Sequence, residues 1–445
     1  MPLTGLDIYK QLPKTNCKEC GHPTCLAFAM ALASGKASLD ACPHVSQEAR
    51  AALDAAAAPP MAEIVIGTGA AAVKLGGETE LFRHEKRFYN PTVVALLLSD
   101  SLPEAELNAR VQELKDLAFH RVGLEYRVQM VAVKCDTGQA ETFKKAVELA
   151  QQTGLALMLV TEDPQVMAAG LEVCAQSRPL LYAATEANLE AMLALAKANA
   201  CVMAVKARGL EALAALAQKV SATGFKDLVL DPDPTGLAQA VADLVQIRRL
   251  AIKKRFRPFG YPAMVFARAQ DPAEEALEAA TCFTKYASLV VLKNFSRPHL
   301  LPLLTWRQNL YTDPQVPIQV EEKLNEIGNP NENSPVYVTT NFSLTYYSVQ
   351  GEVEGSRIPS YILSVNTNGL SVMTAYADGR FTAEKIAQVM KKFDLDSRIK
   401  HRSIVIPGAV AVLKGKLEEL TGWKVLVGPR EASGIPAFAK STFSA

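Results

Sequence analysis

No apolar run in the 445 residues reaches the roughly 18 needed to cross a bilayer, so no membrane partner is expected. Charge surplus is missing too: 47 basic residues face 46 acidic ones, and the sequence pI is near 7.5. That balance argues against a nucleic-acid partner, because such domains have a pI above about 9. Cysteine is sparse, with 8 residues, too few for a disulfide scaffold. Met1 to Lys14 lacks the charged start, apolar stretch and small-residue cleavage site of a signal peptide, so a cytoplasmic location is expected. What is plentiful is apolar residue, 49% against 21% charged, the balance of a chain with large cores. At about 150 residues per domain, the length predicts roughly three domains.

The few cysteines are unevenly placed. Cys17, Cys20, Cys25 and Cys42 fall in NCKECGHPTC and the Cys42-Pro43 pair that follows it. The others, Cys135, Cys174, Cys201 and Cys282, are scattered and read as small buried hydrophobes. Clustered thiols in an intracellular chain indicate zinc or an iron–sulfur cluster. Structural zinc commonly uses two CxxC knuckles. Here one CxxC is followed by steps of five and seventeen residues, with CLAFAMALASG as an intervening helix. The Cys-Pro ending is shared with bacterial ferredoxin motifs at different spacing. Spacing therefore favours [4Fe–4S], with zinc left open.

The domain reading runs as 1–58, the four-cysteine domain; 59–92, a linker with a hairpin; 93–312, a barrel; 313–330, a second linker; and 331–445, a small α/β domain. Residues 49–60 predict a short helix stopped by Pro59-Pro60. Gly67-x-Gly69 is too weak for a nucleotide loop. Eight apolar runs follow, at 93–100, 127–136, 156–163, 179–185, 200–207, 227–232, 264–269 and 288–295. Such runs suit parallel strands covered on both faces. Amphipathic helices separate them, as in EAELNARVQELKDLAFH, where Leu107, Val111, Leu114 and Ala118 share one face. Eight alternating units predict a (β/α)8 TIM barrel, with an open doubly wound sheet as the rival. Its strand ends carry Asp100, Asp136, Asp163, Asp231 and Asn294, where barrels keep catalytic groups, although helix capping is the favoured reading of each. Beyond the polar stretch 311–335, strands are expected at PVYVTTNF, PSYILSVNT, HRSIVIPGA and WKVLVGP, and another within GLSVMTAYADGR; helices are expected at FTAEKIAQVMKKFDL and AVLKGKLEELTG. This predicts a Rossmann-like open sheet that binds ligands at the carboxyl ends of its strands.

TNCKECGHPTCLAFA with Cys42-Pro43, VYVTTNFSLTYYSVQGEVEG and SVNTNGLSVMTAYADGRFTAEKIAQ together resemble the large subunit family of the corrinoid/iron–sulfur protein of the anaerobic acetyl-CoA pathway. The resemblance covers essentially the whole chain. It implies a [4Fe–4S] cluster on Cys17, Cys20, Cys25 and Cys42, and a cobamide in the C-terminal domain. It implies a methyl-carrier component of a methyltransferase system rather than a catalyst with its own catalytic residues. A methyl group passes from a methyltetrahydrofolate-dependent methyltransferase to Co(I), and methyl-Co(III) delivers it to acetyl-CoA synthase. The cluster, fed by a reductive activator, restores cobalt that has oxidised to Co(II). The implied partner is a small barrel subunit, forming a heterodimer.

The residues accord with that chemistry. There is no DxHxxG motif, and His401, at a strand head, is the one histidine of the C-terminal domain. A base-off cobamide without a protein histidine ligand is expected. Its polar cradle is placed on Thr340, Tyr346, Gly369, Leu370, Ser371, Val372, Met373, Thr374, Gly408, Ser433, Gly434 and Ile435, with ordinary turn chemistry as the plain alternative for each. Two other functions are consistent with the same features: a barrel that itself moves a methyl group from a pterin to cobalt, and a redox module that activates another corrinoid protein.

Overall fold

The computed structural model describes residues 5–33, 37–46, 49–50, 53, 59–121 and 124–443. Most of the helix expected over 49–60 lies outside the described residues. No described helix is long and apolar enough to cross a membrane.

Helices Gly5–Gln11 and Cys25–Ala33 pack on each other through Ile8, Leu12, Phe28 and Ala29, a small core that also takes in Cys25 and Cys42. Next comes an antiparallel hairpin, β1 (Glu63–Ile66) and β2 (Val73–Gly76). The barrel follows, with β3 (Val93–Ser99), then a second hairpin of β4 (Ala118–Arg121) and β5 (Leu124–Arg127). Its other strands are β6 (Met130–Lys134), β7 (Ala156–Val160), β8 (Leu180–Ala184), β9 (Val202–Lys206), β10 (Leu228–Asp231), β11 (Met264–Phe266) and β12 (Leu289–Leu292). The eight parallel strands run β10-β9-β8-β7-β6-β3-β12-β11. Leu230 N donates to Pro262 O at 2.9 Å and joins the two outer strands, so the sheet curls round on itself. Outward residues such as Leu96, Val131 and Leu159 meet the helices in one large core, while inward ones such as Ala95, Met130, Met158 and Met264 fill the interior.

Two local differences from the sequence expectation have physical causes. The helix expected through Ala118 is Glu104–Asp116; Leu117 leaves helical geometry, and Phe119 pairs across from Tyr126 in the β4–β5 hairpin. Residues 59–92 contain the expected hairpin, but it is docked on the barrel. Ile64, Ile66 and Leu75 enter the interior core, and Ala62 N and Gly67 N donate to Gly260 O and Arg178 O at 2.8 and 2.9 Å. The hairpin thus closes the amino end of the barrel as a floor. Arg248, 3% exposed, sits there between the rings of Phe88 and Tyr286 and pairs with Glu78 at 3.3 Å. Glu78 also accepts the backbone N–H groups of Tyr89 and Asn90, and Arg83 donates to the carbonyls of Asn309, Leu310 and Thr312.

The C-terminal sheet comprises β13 (Lys323–Ile327), β14 (Val336–Thr340), β15 (Ser360–Val365), β16 (Ser403–Ile406) and β17 (Lys424–Val427). Its order is β13-β15-β14-β16-β17, with β13 antiparallel at one edge and the rest parallel. β13 lies inside the expected linker 313–330, hidden in the sequence because an edge strand carries charge, here Lys323 and Glu326. The strand sought within GLSVMTAYADGR is instead the helix Val372–Ala377, a surface turn that buries only Ala375. Asn341, 2% exposed, ties the connecting chain down. Its Oδ1 accepts the N–H groups of Thr367 and Gly369, its Nδ2 donates to Gln319, and Val320 N donates to its carbonyl.

Candidate functional site

Three places gather chemistry. The first is the thiol loop. Lys14, Asn16, Lys18 and Gly21 all adopt positive φ, which folds 14–21 into a tight, amide-lined curl. Cys20 lies against the apolar core that holds Cys25 and Cys42, while Cys17 faces solvent. Asn16, next to the first cysteine in the sequence, is the residue the motif alone did not single out. Its side-chain oxygen accepts the Cys25 N–H at 2.8 Å, and its own N–H points to Cys25 Sγ at 3.4 Å. Such bonds to ligating sulfur tune iron–sulfur clusters. Among the described residues, the metal-ligand atoms that all lie within 4.8 Å of one another are those of Cys17, Glu19 and His44, the last two paired at 3.0 Å. Among these same residues, no three of the four thiols meet inside that distance.

The second place is the carboxyl end of the C-terminal sheet. From β14 the chain moves to β15 on one side and later to β16 on the other, so the switch point lies between β14 and β16. A cavity of about 510 Å³ opens there, lined by Tyr337, Thr339, Ser348, Ser371 and the loop Gly428–Ala432 among others. The hydroxyls of Tyr337, Thr339 and Thr340 are buried, and among the described residues none has a hydrogen-bond partner. Burial pushes the Tyr337 phenol up to about 12. An unpaired buried hydroxyl costs about 1–3 kcal/mol, so Tyr337 and Thr339, two apart on β14 and both lining the cavity, mark a place for a ligand that brings its own polar groups, while Thr340 does not line it.

The expected cradle residues distribute around this cavity unequally. Ser371, Val372, Met373 and Ile435 line it. Thr374 pairs with Ser371 at 3.0 Å, and Ser433 is exposed on the adjacent turn. Gly408 and Gly434 allow the 428–430 loop to close in: a Cβ on Gly408 would lie 2.5 Å from Gly428 O, and one on Gly434 would lie 2.7 Å from Pro429 Cβ. Thr340 is buried at the strand end, and Leu370 packs on the domain core. Gly369 and Tyr346 are elsewhere. Gly369, at φ 74°, abuts Pro317 and Gln319. Helix Ser343–Ser356 turns Leu344, Thr345 and Ser348 to the cavity, which sends Tyr346 to the far side with Ile318 and Gln319. Tyr337, Ser348 and Arg430 were not singled out from sequence. The alternation of β14, with Tyr337 and Thr339 two apart, was the available signal. His401 stands at the amino end of β16, away from the cavity, with one ring nitrogen on Ser334 O and the other on Ser403 N, both at 3.0 Å.

The third place is the rim of the barrel. Asp100 accepts Asp136 N and Thr137 N at 2.7 and 3.0 Å, Asp163 caps the helix Pro164–Cys174, and Asn294 donates to buried Glu275 at 3.0 Å. Asp136 takes Ser99 Oγ at 2.6 Å and pairs with Lys134 at 2.5 Å. These four close turns. Asp231 differs: it faces the barrel interior and accepts the Tyr182 hydroxyl at 2.7 Å.

Relatives are found along the whole chain by sequence. The family described as CO dehydrogenase/acetyl-CoA synthase delta subunit matches residues 63–439, and one described as putative Fe-S cluster matches residues 12–44. The chain is 63% identical to the corrinoid/iron-sulfur protein large subunit of Moorella thermoacetica, over 100% of both chains. It is 39% identical to the acetyl-CoA decarbonylase/synthase complex subunit gamma of Methanopyrus kandleri, covering 98% of this chain and 97% of that one. Among solved structures, dihydropteroate synthase from Thermus thermophilus aligns with a TM-score of 0.39 at 18% identity, over 55% of this chain and 99% of that one. On sequence, over its full length, the chain belongs to the family of corrinoid/iron–sulfur protein large subunits and their acetyl-CoA decarbonylase/synthase gamma-subunit relatives.

Proposed function

We propose that this chain is a methyl carrier, holding a cobamide in the C-terminal cradle and a [4Fe–4S] cluster on Cys17, Cys20, Cys25 and Cys42. The observation that carries it is the set of unpartnered hydroxyls at the switch-point cavity. When bound, the cobamide supplies a low-valent metal that accepts and releases a methyl group, and the cluster supplies the electron that returns it to service. The chain's own residues do the rest. Tyr337 and Thr339 offer hydroxyls to the cofactor's polar groups, Thr340 supports the strand end from the other face, Ser371 to Thr374 and Ser433 to Ile435 border it, and Gly408 keeps the 428–430 loop close. Tyr346 and Gly369 act from behind, by seating the helix and the loop. The position and pairing of His401 support a base-off state without a protein histidine on cobalt. Asn16 orients Cys25 and donates toward its sulfur. The methyl source is a methyltetrahydrofolate-dependent methyltransferase and the recipient acetyl-CoA synthase, with a small barrel subunit as the constant companion.

The test is spectroscopic. The anaerobically purified heterodimer should hold about four irons and one cobalt per chain and show separate cluster and corrinoid signals in visible and EPR spectra. Cys42→Ala should remove most of the iron and leave the cobalt. A well-folded heterodimer that takes up no cobamide refutes the carrier role.

A further inference from the structure

The carrier role leaves one elaborate feature of the barrel unused. A cavity of about 370 Å³ opens at the carboxyl ends of the strands. Its inner wall is aromatic, with the rings of Tyr182 and Phe266 4.9 Å apart. Beneath them Asp231, 2% exposed, accepts the Tyr182 hydroxyl on one oxygen and Asp233 N, at 2.8 Å, on the other. Two ion pairs border the opening: Lys206 with Glu162 at 2.8 Å, and Arg268 with Asp233 at 2.9 Å. These groups come from the ends of five different strands, as binding groups do in barrels of this type.

Packing alone does not call for them. The deeper layers are filled by Ala95, Met158, Val202 and Met264, which need no polar partner. The neighbouring rim acids close turns; these groups face open space. Asp231 is the buried charge of the set, and a buried carboxylate weakens a fold more readily than it strengthens one, so its retention under a cavity ringed by partly exposed ion pairs points to binding.

The pairing also restricts what can bind. Every charge at the mouth already has a partner: Lys206 pairs with Glu162, Arg268 and Arg208 share Asp233, and Lys134 pairs with Asp136, while Asp231 lies beneath, so four cations face four carboxylates and no surplus draws a simple anion or cation. A ligand with a single charge would take one partner of a pair and strand the other. A ligand with both charges replaces each internal contact it breaks. We propose that the barrel mouth is a binding site for a small zwitterion with an aromatic or apolar body. Lys206 and Arg268 take its carboxylate, Glu162 and Asp233 its ammonium group, and the Tyr182–Phe266 wall its body. The site is separate from the C-terminal cradle and does not depend on what the cradle holds.

Three probes of one shape differ only in charge: phenylalanine, 3-phenylpropionate and 2-phenylethylamine. Each would be titrated by ligand-observed NMR into the complete heterodimer. Phenylalanine should bind at least about tenfold tighter than either singly charged probe, the margin one charged hydrogen bond supplies. Glu162→Gln should weaken phenylalanine about tenfold while narrowing its advantage over 3-phenylpropionate, with iron and cobalt contents unchanged. Tyr182→Phe, which keeps the ring, should leave the charge preference intact. The proposal is overturned if a singly charged probe binds as well as phenylalanine, if no probe saturates, or if phenylalanine binding is indifferent to Glu162→Gln. The unmodified protein decides the first two outcomes, so a misfolded variant does not shield the idea.

Discussion

The floor of the barrel and the cradle of the C-terminal sheet both bury polar groups among apolar ones, yet they differ in one respect. At the floor the charged groups find matches: Arg248 has Glu78, Glu78 has two backbone donors, and Arg83 has three helix-end carbonyls; among the described residues there, only single Nε atoms of Arg178 and Arg307, whose other nitrogens are bonded, lack a partner. In the cradle, among the described residues, the hydroxyls of Tyr337 and Thr339 have no partner. Polar burial that closes on itself is construction, and polar burial that stays open is provision for something else. Burial raises the Glu78 carboxyl and lowers the Arg248 guanidinium, while the attraction between them opposes both shifts.

That contrast can be broken experimentally, beginning where the effect is largest. Arg248→Ala strands a buried carboxylate and should cost about 3–5 kcal/mol of stability by denaturant unfolding, whereas Arg248→Met with Glu78→Gln should cost far less. A small loss in the single variant would show that the floor is not closed construction.

Asp231 sits between the two cases, since Tyr182 and Asp233 N satisfy it while the cavity above stays open. Burial holds its carboxyl up to about 6, against the bonds from Tyr182 and Asp233 N, with Lys206 as the nearby cation. The folded state therefore keeps its proton to a higher pH than the unfolded chain. The resulting penalty is absent below about pH 4, grows as pH rises to 6, and reaches about 3 kcal/mol at pH 7. Asp231→Asn should flatten that slope and raise the melting temperature at pH 7. An unchanged pH profile would place Asp231 with the floor.

The smallest stability effect is expected in the cradle. Thr339→Val and Thr340→Val remove hydroxyls that have no partner among the described residues, so each should change stability by under about 1 kcal/mol, in either direction, and the cobamide effect should come mainly from Thr339, which lines the cavity. Cobamide retention on dialysis should nevertheless fall roughly tenfold for the pair. A destabilised protein with full cobalt would reverse the contrast.

The sequence made some of this visible and hid the rest, for physical reasons. The eight barrel strands stand out because both faces are covered, so VVALLLSD and ALMLVTED are apolar throughout. The edge strand β13 is disguised by its charges, and β4 by its continuity with a helical face that ends at Asp116. The thiols were legible because their chemistry needs particular residues at close spacing. The cradle was only half so: Ser371, Val372, Met373 and Ile435 border the cavity, but Tyr346 is turned from it by the 100° step of a helix whose start the sequence did not fix. Tyr182 was lost among the apolar residues of its strand, since nothing in PLLYAAT tells which way a side chain points.

The clasp at Asn341 sets the length of a leash. With Ser343 N holding the Ile318 carbonyl, residues 318–320 are fastened to the C-terminal sheet, and Arg83 holds the Thr312 carbonyl at the end of the last barrel helix, so the free chain between them is 313–317. Five residues span at most roughly 17 Å when fully drawn out. Two of the five are Pro314 and Pro317, which stiffen even that. A tether this short holds the C-terminal domain next to the barrel while leaving it free to pivot about the end of the last barrel helix.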